Sequence, residues 1–155
     1  MCWMCEHTGS TVQDYLDVLR ARMLKHGWAG QYVEDRRMPY AYSIGLTRSE
    51  LPELLITGVS PPRALRMLNA AVHRALSGTA LTPGSQFALG AGPLVEVVEV
   101  EQPDAHMGAA VAFFGDDLRA VQLVWADRRG RWPWTAEFCD GAGRQPVLGV
   151  RVKPA

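Results

Sequence analysis

PYAYSIGLTRSELPELLITGV, residues 39–59, is the stretch that decides the fold. It holds two apolar runs, 41–46 and 54–59, rich in Tyr, Ile, Leu and Val, and each is about the length of a strand crossing a small domain. Thr47, Arg48 and Ser49 between them read as a turn, and Pro52 limits how early the second strand begins. Neither run alternates apolar with polar residues as a strand with one wet face would. Both therefore read as central strands covered on two sides, with helices from either flank packing onto them.

Upstream, Ser10 or Thr11 suits an N-cap, and with Thr11 as the cap Asp14 falls at the third helical position of a capping box. Val12, Tyr15, Leu16, Leu19 and Met23 then recur at helical spacing, and Gly27 can take the left-handed conformation that stops a helix. WAGQYV at 28–33 reads as a strand weakened by Gly30, and the charged run 34–37 as a loop. Downstream, Ser60-Pro61-Pro62 is a helix start, with Ser60 as the cap and proline suited to the first turn. Leu65, Leu68, Val72, Ala75 and Leu76 are expected to form its packing face, and Gly78 its end.

The glycine-rich stretch 83–92 reads as a connector with a short strand at 86–89. It lacks both the GxxxxGKS/T order and the GxGxxG fingerprint of phosphate-binding loops. LVEVVEV at 94–100 is a strand whose Glu96 and Glu99 do not share a face, 103–114 is a short helical segment closed by Gly115, and AVQLVW at 120–125 is the last strong strand. DRRG at 127–130 is a turn, Arg131-Trp132-Pro133-Trp134 sets two indoles around a proline, and 145–152 runs extended. The expectation is one α+β domain over 1–155, with an N-terminal arm at 1–10. Its core is a mixed or antiparallel sheet of about five strands packed with two main helices.

Composition excludes several function classes. The chain has 155 residues, 48% hydrophobic and 21% charged, which suits one soluble globular domain rather than a disordered chain. Lys plus Arg equals Asp plus Glu at 16 each, and the basic residues form no stripe, so nothing favours nucleic acid or a membrane surface as partner. No stretch approaches the roughly 20 apolar residues of a membrane span. Residues 1–7 have no basic region followed by an apolar one, so a cytoplasmic protein is expected. Three cysteines, an odd number, then point away from a disulfide framework.

Two constellations carry chemistry. Cys2-x-x-Cys5 followed by His7 can close two thiolates and an imidazole on one Zn²⁺. Cys139 is the natural fourth ligand, with His26 or His106 as substitutes. A redox dithiol is less favoured, because no strand precedes the first Cys as in thioredoxin-like motifs. The second constellation is aromatic and acidic. Trp125, Asp127, Trp132, Trp134, Tyr40 and Tyr42 converge if the 120–125 strand neighbours the 41–46 strand. With Arg128, Arg129 and Arg131 nearby they would make a pocket for a small organic ligand or a partner's side chain. The alternative is that Trp-Pro-Trp fills space at a chain corner. Ser43 has no GxSxG elbow around it, which argues against a serine hydrolase.

YAYSIGL at 40–46, PEL at 52–54 and LVWADRRGRWPW at 123–134 resemble the bacterial family catalogued as domain of unknown function 4262. That family combines an F/Y-A-Y-S/T-I/V-G-L strand, a following P-E-L and a late W-x-D-x-x-G-x-W/F-P-W block. MCWMCEH at the start and QPVLG at 145–149 resemble its actinobacterial branch. The resemblance implies kinship over nearly the whole chain and carries no catalytic residue. Three readings stand: a zinc-binding protein using Cys2, Cys5 and His7; a non-enzymatic interaction module of adaptor or immunity-like kind; and a small-ligand binder or enzyme using the tryptophan-rich segment.

Overall fold

The computed structural model describes residues 6–152. Helix α1 (Val12–His26) opens on the expected capping box, with the Thr11 hydroxyl accepting from Asp14 N–H and the Asp14 carboxylate accepting from Thr11 N–H. Gly27 closes it in the left-handed region at φ 85°. Leu19 and Met23 are buried, whereas Val12 in the first turn is exposed.

Six strands make one sheet: β1 (Ala29–Val33), β2 (Tyr40–Ile44), β3 (Glu53–Thr57), β4 (Gln86–Ala88), β5 (Leu94–Glu99) and β6 (Ala120–Trp125). Their order is β1-β2-β3-β6-β5-β4. Every neighbouring pair is antiparallel except β3–β6, which is parallel, so the sheet is mixed. The short β4 falls where a short strand at 86–89 was expected, and brings the sheet to six strands against about five expected. Strands β2 and β3 stop before the ends of their apolar runs: Leu46–Ser49 is a 3-10 turn, and Gly58 takes φ 75°. A Cβ at Gly58 would lie 2.5 Å from the Arg144 carbonyl oxygen, so no side chain fits there.

Both central strands are covered on two sides, and period-two alternation divides their side chains. Ala41, Leu54, Ile56, Val121, Leu123 and Trp125 pack with helix α2 (Pro61–Leu76). Tyr42, Ile44, Leu55 and Ala120 pack on the other face against Leu19 and Met23 of α1, with Met107 and Ala110. Ala110 belongs to the second, and Met107 is the link, of two short helices α3 (Pro103–His106) and α4 (Gly108–Phe114), where one helical segment was expected.

The packing face of α2 is rotated from the expected one. Leu65 and Leu76 are exposed at 54% and 49%, while Ala64, Met67, Leu68, Ala71, Val72 and Ala75 are buried. That set follows the i, i+3, i+4, i+7, i+8 rule throughout, and its three alanines let the helix axis approach the sheet closely. Ser60 occupies the cap position without a side-chain cap bond. Pro62, at the second helical position, removes one of the two amides that a cap side chain reaches.

The C-terminal segment covers the α1 side of β6 and β5 as an extended strap rather than a strand, held by side chains. Gln122, fully buried, donates from Nε2 to Thr57 Oγ1 (3.1 Å) and Pro146 O (2.8 Å), and its Oε1 accepts from Leu148 N–H (2.7 Å). The Gln145 amide accepts from Trp125 N–H and donates to Trp125 O, replacing a strand partner at the end of β6. The Arg151 guanidinium closes on buried Glu96 at 2.7 Å. No helix among the described residues is long and apolar enough to cross a membrane.

Candidate functional site

The segment SIGLT and Glu53 form one unit. The Glu53 carboxylate, fully buried, accepts from Ser43 Oγ (2.8 Å), Gly45 N–H (3.1 Å), Leu46 N–H (3.1 Å), Thr47 N–H (2.9 Å) and the Thr47 hydroxyl. Ser43 Oγ in turn accepts from Leu54 N–H. A buried charge persists only with its hydrogen-bonding capacity filled, and here the turn is folded around it. Gly45 stands at φ 133°, and a Cβ there would lie 2.9 Å from Gly27 O. This carboxylate is saturated by its own chain, which makes it an architectural group.

A second carboxylate organises the segment after β6. Asp127 Oδ1 accepts from Arg129 N–H and Arg131 N–H, and Oδ2 from Arg131 Nε–H and Cys139 N–H, all at 2.8–2.9 Å. Burial pushes its pKa upward, but the amides of Arg131, Cys139 and Arg129 and the Arg131 guanidinium prevail and hold it down at about 2. The folded-state pKa is depressed, so this group's stabilisation is complete above the ordinary Asp value of about 3.9 and is lost as pH falls toward 2. Urea titrations of wild type and Asp127→Asn should therefore differ by a constant amount from neutral pH down to about 5 and converge between about pH 4 and 2. A difference independent of pH down to 2 would show that the carboxylate is not what the turn depends on.

The Trp125 side chain closes the α2-side core. Its Nε1–H donates to Thr57 O at 2.9 Å, its ring lies 5.2 Å from that of Phe138, and the Arg63 guanidinium sits 4.7 Å above its centroid. Beside it runs a groove of about 620 Å³ lined by Arg63, Trp125, Arg128, Arg129, Arg131 and Cys139, with Asp127 and Asp140. It stands at the C-terminal end of β6, where Trp125 closes the strand. Arg131 is paired with Asp127 and Asp140, and Arg129 lies 3.8 Å from Asp140. Arg63 and Arg128 make no ion pair among the described residues. With the Asp127 charge already bound by four donors, the groove presents cations.

The structure separates the six aromatic and acidic residues singled out from the sequence. Strand β3 stands between β6 and β2, so the 120–125 and 41–46 strands are not neighbours. Trp125 faces α2, whereas Tyr42 is buried on the other face, its hydroxyl accepting from Ala109 N–H and its pKa pushed up by that burial. Tyr40 stacks on Tyr42 and donates to His106 O at 2.6 Å. Trp132 and Trp134 stack on each other at 5.2 Å, and the Arg151 guanidinium lies 3.5 Å from the Trp134 centroid. Of the six, Trp125 and Asp127 line the groove. Arg63 was missed because most of α2, the β4–β5 hairpin and helices α3 and α4 lie between it and Trp125, with no local signal linking them.

Cys2 and Cys5 lie outside the described residues. His7 is exposed, and its carbonyl accepts from Ser10 N–H. Cys139 is a free thiol in the Asp127 turn, His26 is in the last turn of α1, and His106 ends α3. Among the described residues no group of three or more His, Cys, Asp or Glu side chains is arranged to hold a metal ion.

A family model described as Domain of unknown function (DUF4262) matches residues 22–139, a span that takes in both carboxylate-centred turns and the groove arginines. No curated protein and no solved structure matches the chain.

Proposed function

The chain belongs to the DUF4262 family, whose description assigns no activity, and from the groove we propose that it binds a small organic anion. One observation carries the proposal: Arg63 from α2 and Arg128 from the turn after β6 line the same groove beside Trp125 without a carboxylate partner among the described residues. Guanidinium groups match carboxylate and phosphate geometry, and their hydrogen bonds to charged groups are each worth about 1.5–3 kcal/mol. The buried indole holds the Arg63 guanidinium against its ring face, which fixes that cation at the groove wall. Titration with benzoate, citrate and a phosphate monoester, followed by tryptophan fluorescence and native mass spectrometry, tests the proposal. At least one should bind, and Arg63→Ala and Arg128→Ala should each weaken it by about 10- to 100-fold. Failure of all three to bind, or equal binding by the double variant, would refute it.

Two other readings are supported by different observations. The half-buried, stacked Trp132–Trp134 pair is the kind of aromatic surface an interaction module of adaptor or immunity-like kind offers to a protein partner. The Cys2-x-x-Cys5 and His7 spacing supports zinc binding, with Cys139 as the proposed fourth ligand. Elemental analysis of untagged protein tests the zinc reading, and loss of metal in Cys2→Ser/Cys5→Ser is its expected signature.

A further inference from the structure

The cationic groove does not stop at Trp125. Arg63, Asp127 and Arg128 also line an adjoining hollow of about 770 Å³ that runs between α2 and the β4–β5 hairpin, and exposed Arg66 of α2 adds a further cation at its rim. Away from the arginines its wall is Met67 and Ala70 of α2 and Leu89, Pro93 and Leu94 of the hairpin. Leu94 is 39% exposed, an apolar side chain left facing water on an open wall. Asp127 is the one acid along this hollow among the described residues, and its oxygens are already taken. A cationic end continuous with an apolar trough is complementary to a molecule with an anionic head and an apolar body.

We propose that the site takes an amphipathic monoanion, a medium-chain or aryl carboxylic acid whose head meets Arg63 and Arg128 and whose body lies along Met67, Leu89 and Leu94. This rests on the anion reading above and narrows its ligand class. A purely polar anion would leave the trough hydrated, and a neutral amphiphile would leave the guanidinium groups without a partner. Each methylene fully removed from water strengthens binding about three- to fourfold. On an open trough about twofold per methylene is expected.

Calorimetric titration of the full chain with acetate, butanoate, hexanoate, octanoate and octanol is the test. Affinity should rise about twofold per methylene along the acids, and octanol should bind at least about tenfold more weakly than octanoate. Arg128→Ala should lower all four acids by a similar factor, whereas Leu94→Asn should shrink the octanoate-to-acetate ratio. If Leu94→Asn fails to fold, Ala91→Glu on the exposed hairpin loop sets a like charge beside the apolar body and should shrink the same ratio. Acids that bind with no dependence on chain length would overturn this inference and leave the anion reading standing. Octanol binding as tightly as octanoate would also overturn it. No binding of any acid, nor of the anions above, would overturn both.

Discussion

Glu53→Ala should cost at least about 3–5 kcal/mol, enough to unfold much of the population of a domain whose total stability is about 5–15 kcal/mol. Removing the carboxylate leaves Ser43 Oγ, three consecutive backbone amides from Gly45 to Thr47, and the Thr47 hydroxyl without their acceptor. Of these, Ser43, Gly45 and Leu46 are buried, so water cannot take its place at low cost. Glu53→Gln is the informative comparison. Its carbonyl oxygen can keep the Ser43 and Leu46 bonds, while its NH₂ would confront the amides of Gly45 and Thr47, donor against donor. The order wild type, Gln, Ala in urea midpoint is the expected outcome. An alanine variant within about 1 kcal/mol of wild type would mean that the turn stands without its anion.

Trp125→Ala should cost about 3–5 kcal/mol, as large-to-small changes at buried aromatic positions do. The ring is 6% exposed and fills the space between α2 and Phe138, so its loss opens a cavity that the surrounding structure cannot fully collapse. It also strips Thr57 O of its donor and Arg63 of the surface it lies on. Trp125→Phe separates these effects. Phenylalanine keeps most of the apolar contact but not the indole N–H, so it should recover more than half of the loss while leaving Thr57 O unsatisfied. Thermal melts of the two variants check this. An alanine variant that melts like wild type would place the indole outside the core.

The strands and first helix were legible in the sequence because local signals agreed there. The apolar runs around 41–46 and 54–59 gave buried strands, and Thr11, Asp14 and Gly27 bounded α1 by cap chemistry alone. The face of α2 was misread because leucines outweigh alanines in any apolar pattern. At close helix–sheet approach, small Ala64, Ala71 and Ala75 pack while Leu65 and Leu76 point outward. Glu53, Glu96 and Gln122 gave no signal as buried groups, since burial of a polar side chain depends on partners supplied by distant chain. The Asp127 turn was visible as a turn. The groove beside it was only partly foreseen, because its cationic wall is assembled from Arg63 and Arg128, which tertiary structure alone brings together.

Strand β6 is the last of the six strands among the described residues and yet sits in the middle of the sheet. As the polypeptide leaves the ribosome, the meander β1-β2-β3 and the hairpin β4-β5 are complete well before Ala120 emerges. Two half-sheets then wait with the edges of β3 and β5 unpaired, and both strands carry apolar side chains on each face. Open strands of this kind are templates for pairing with another chain, and long-range parallel joints close slowly. The same central strand that seals the finished domain therefore sets an interval, during synthesis, in which the half-made protein is open to aggregation and in need of shielding.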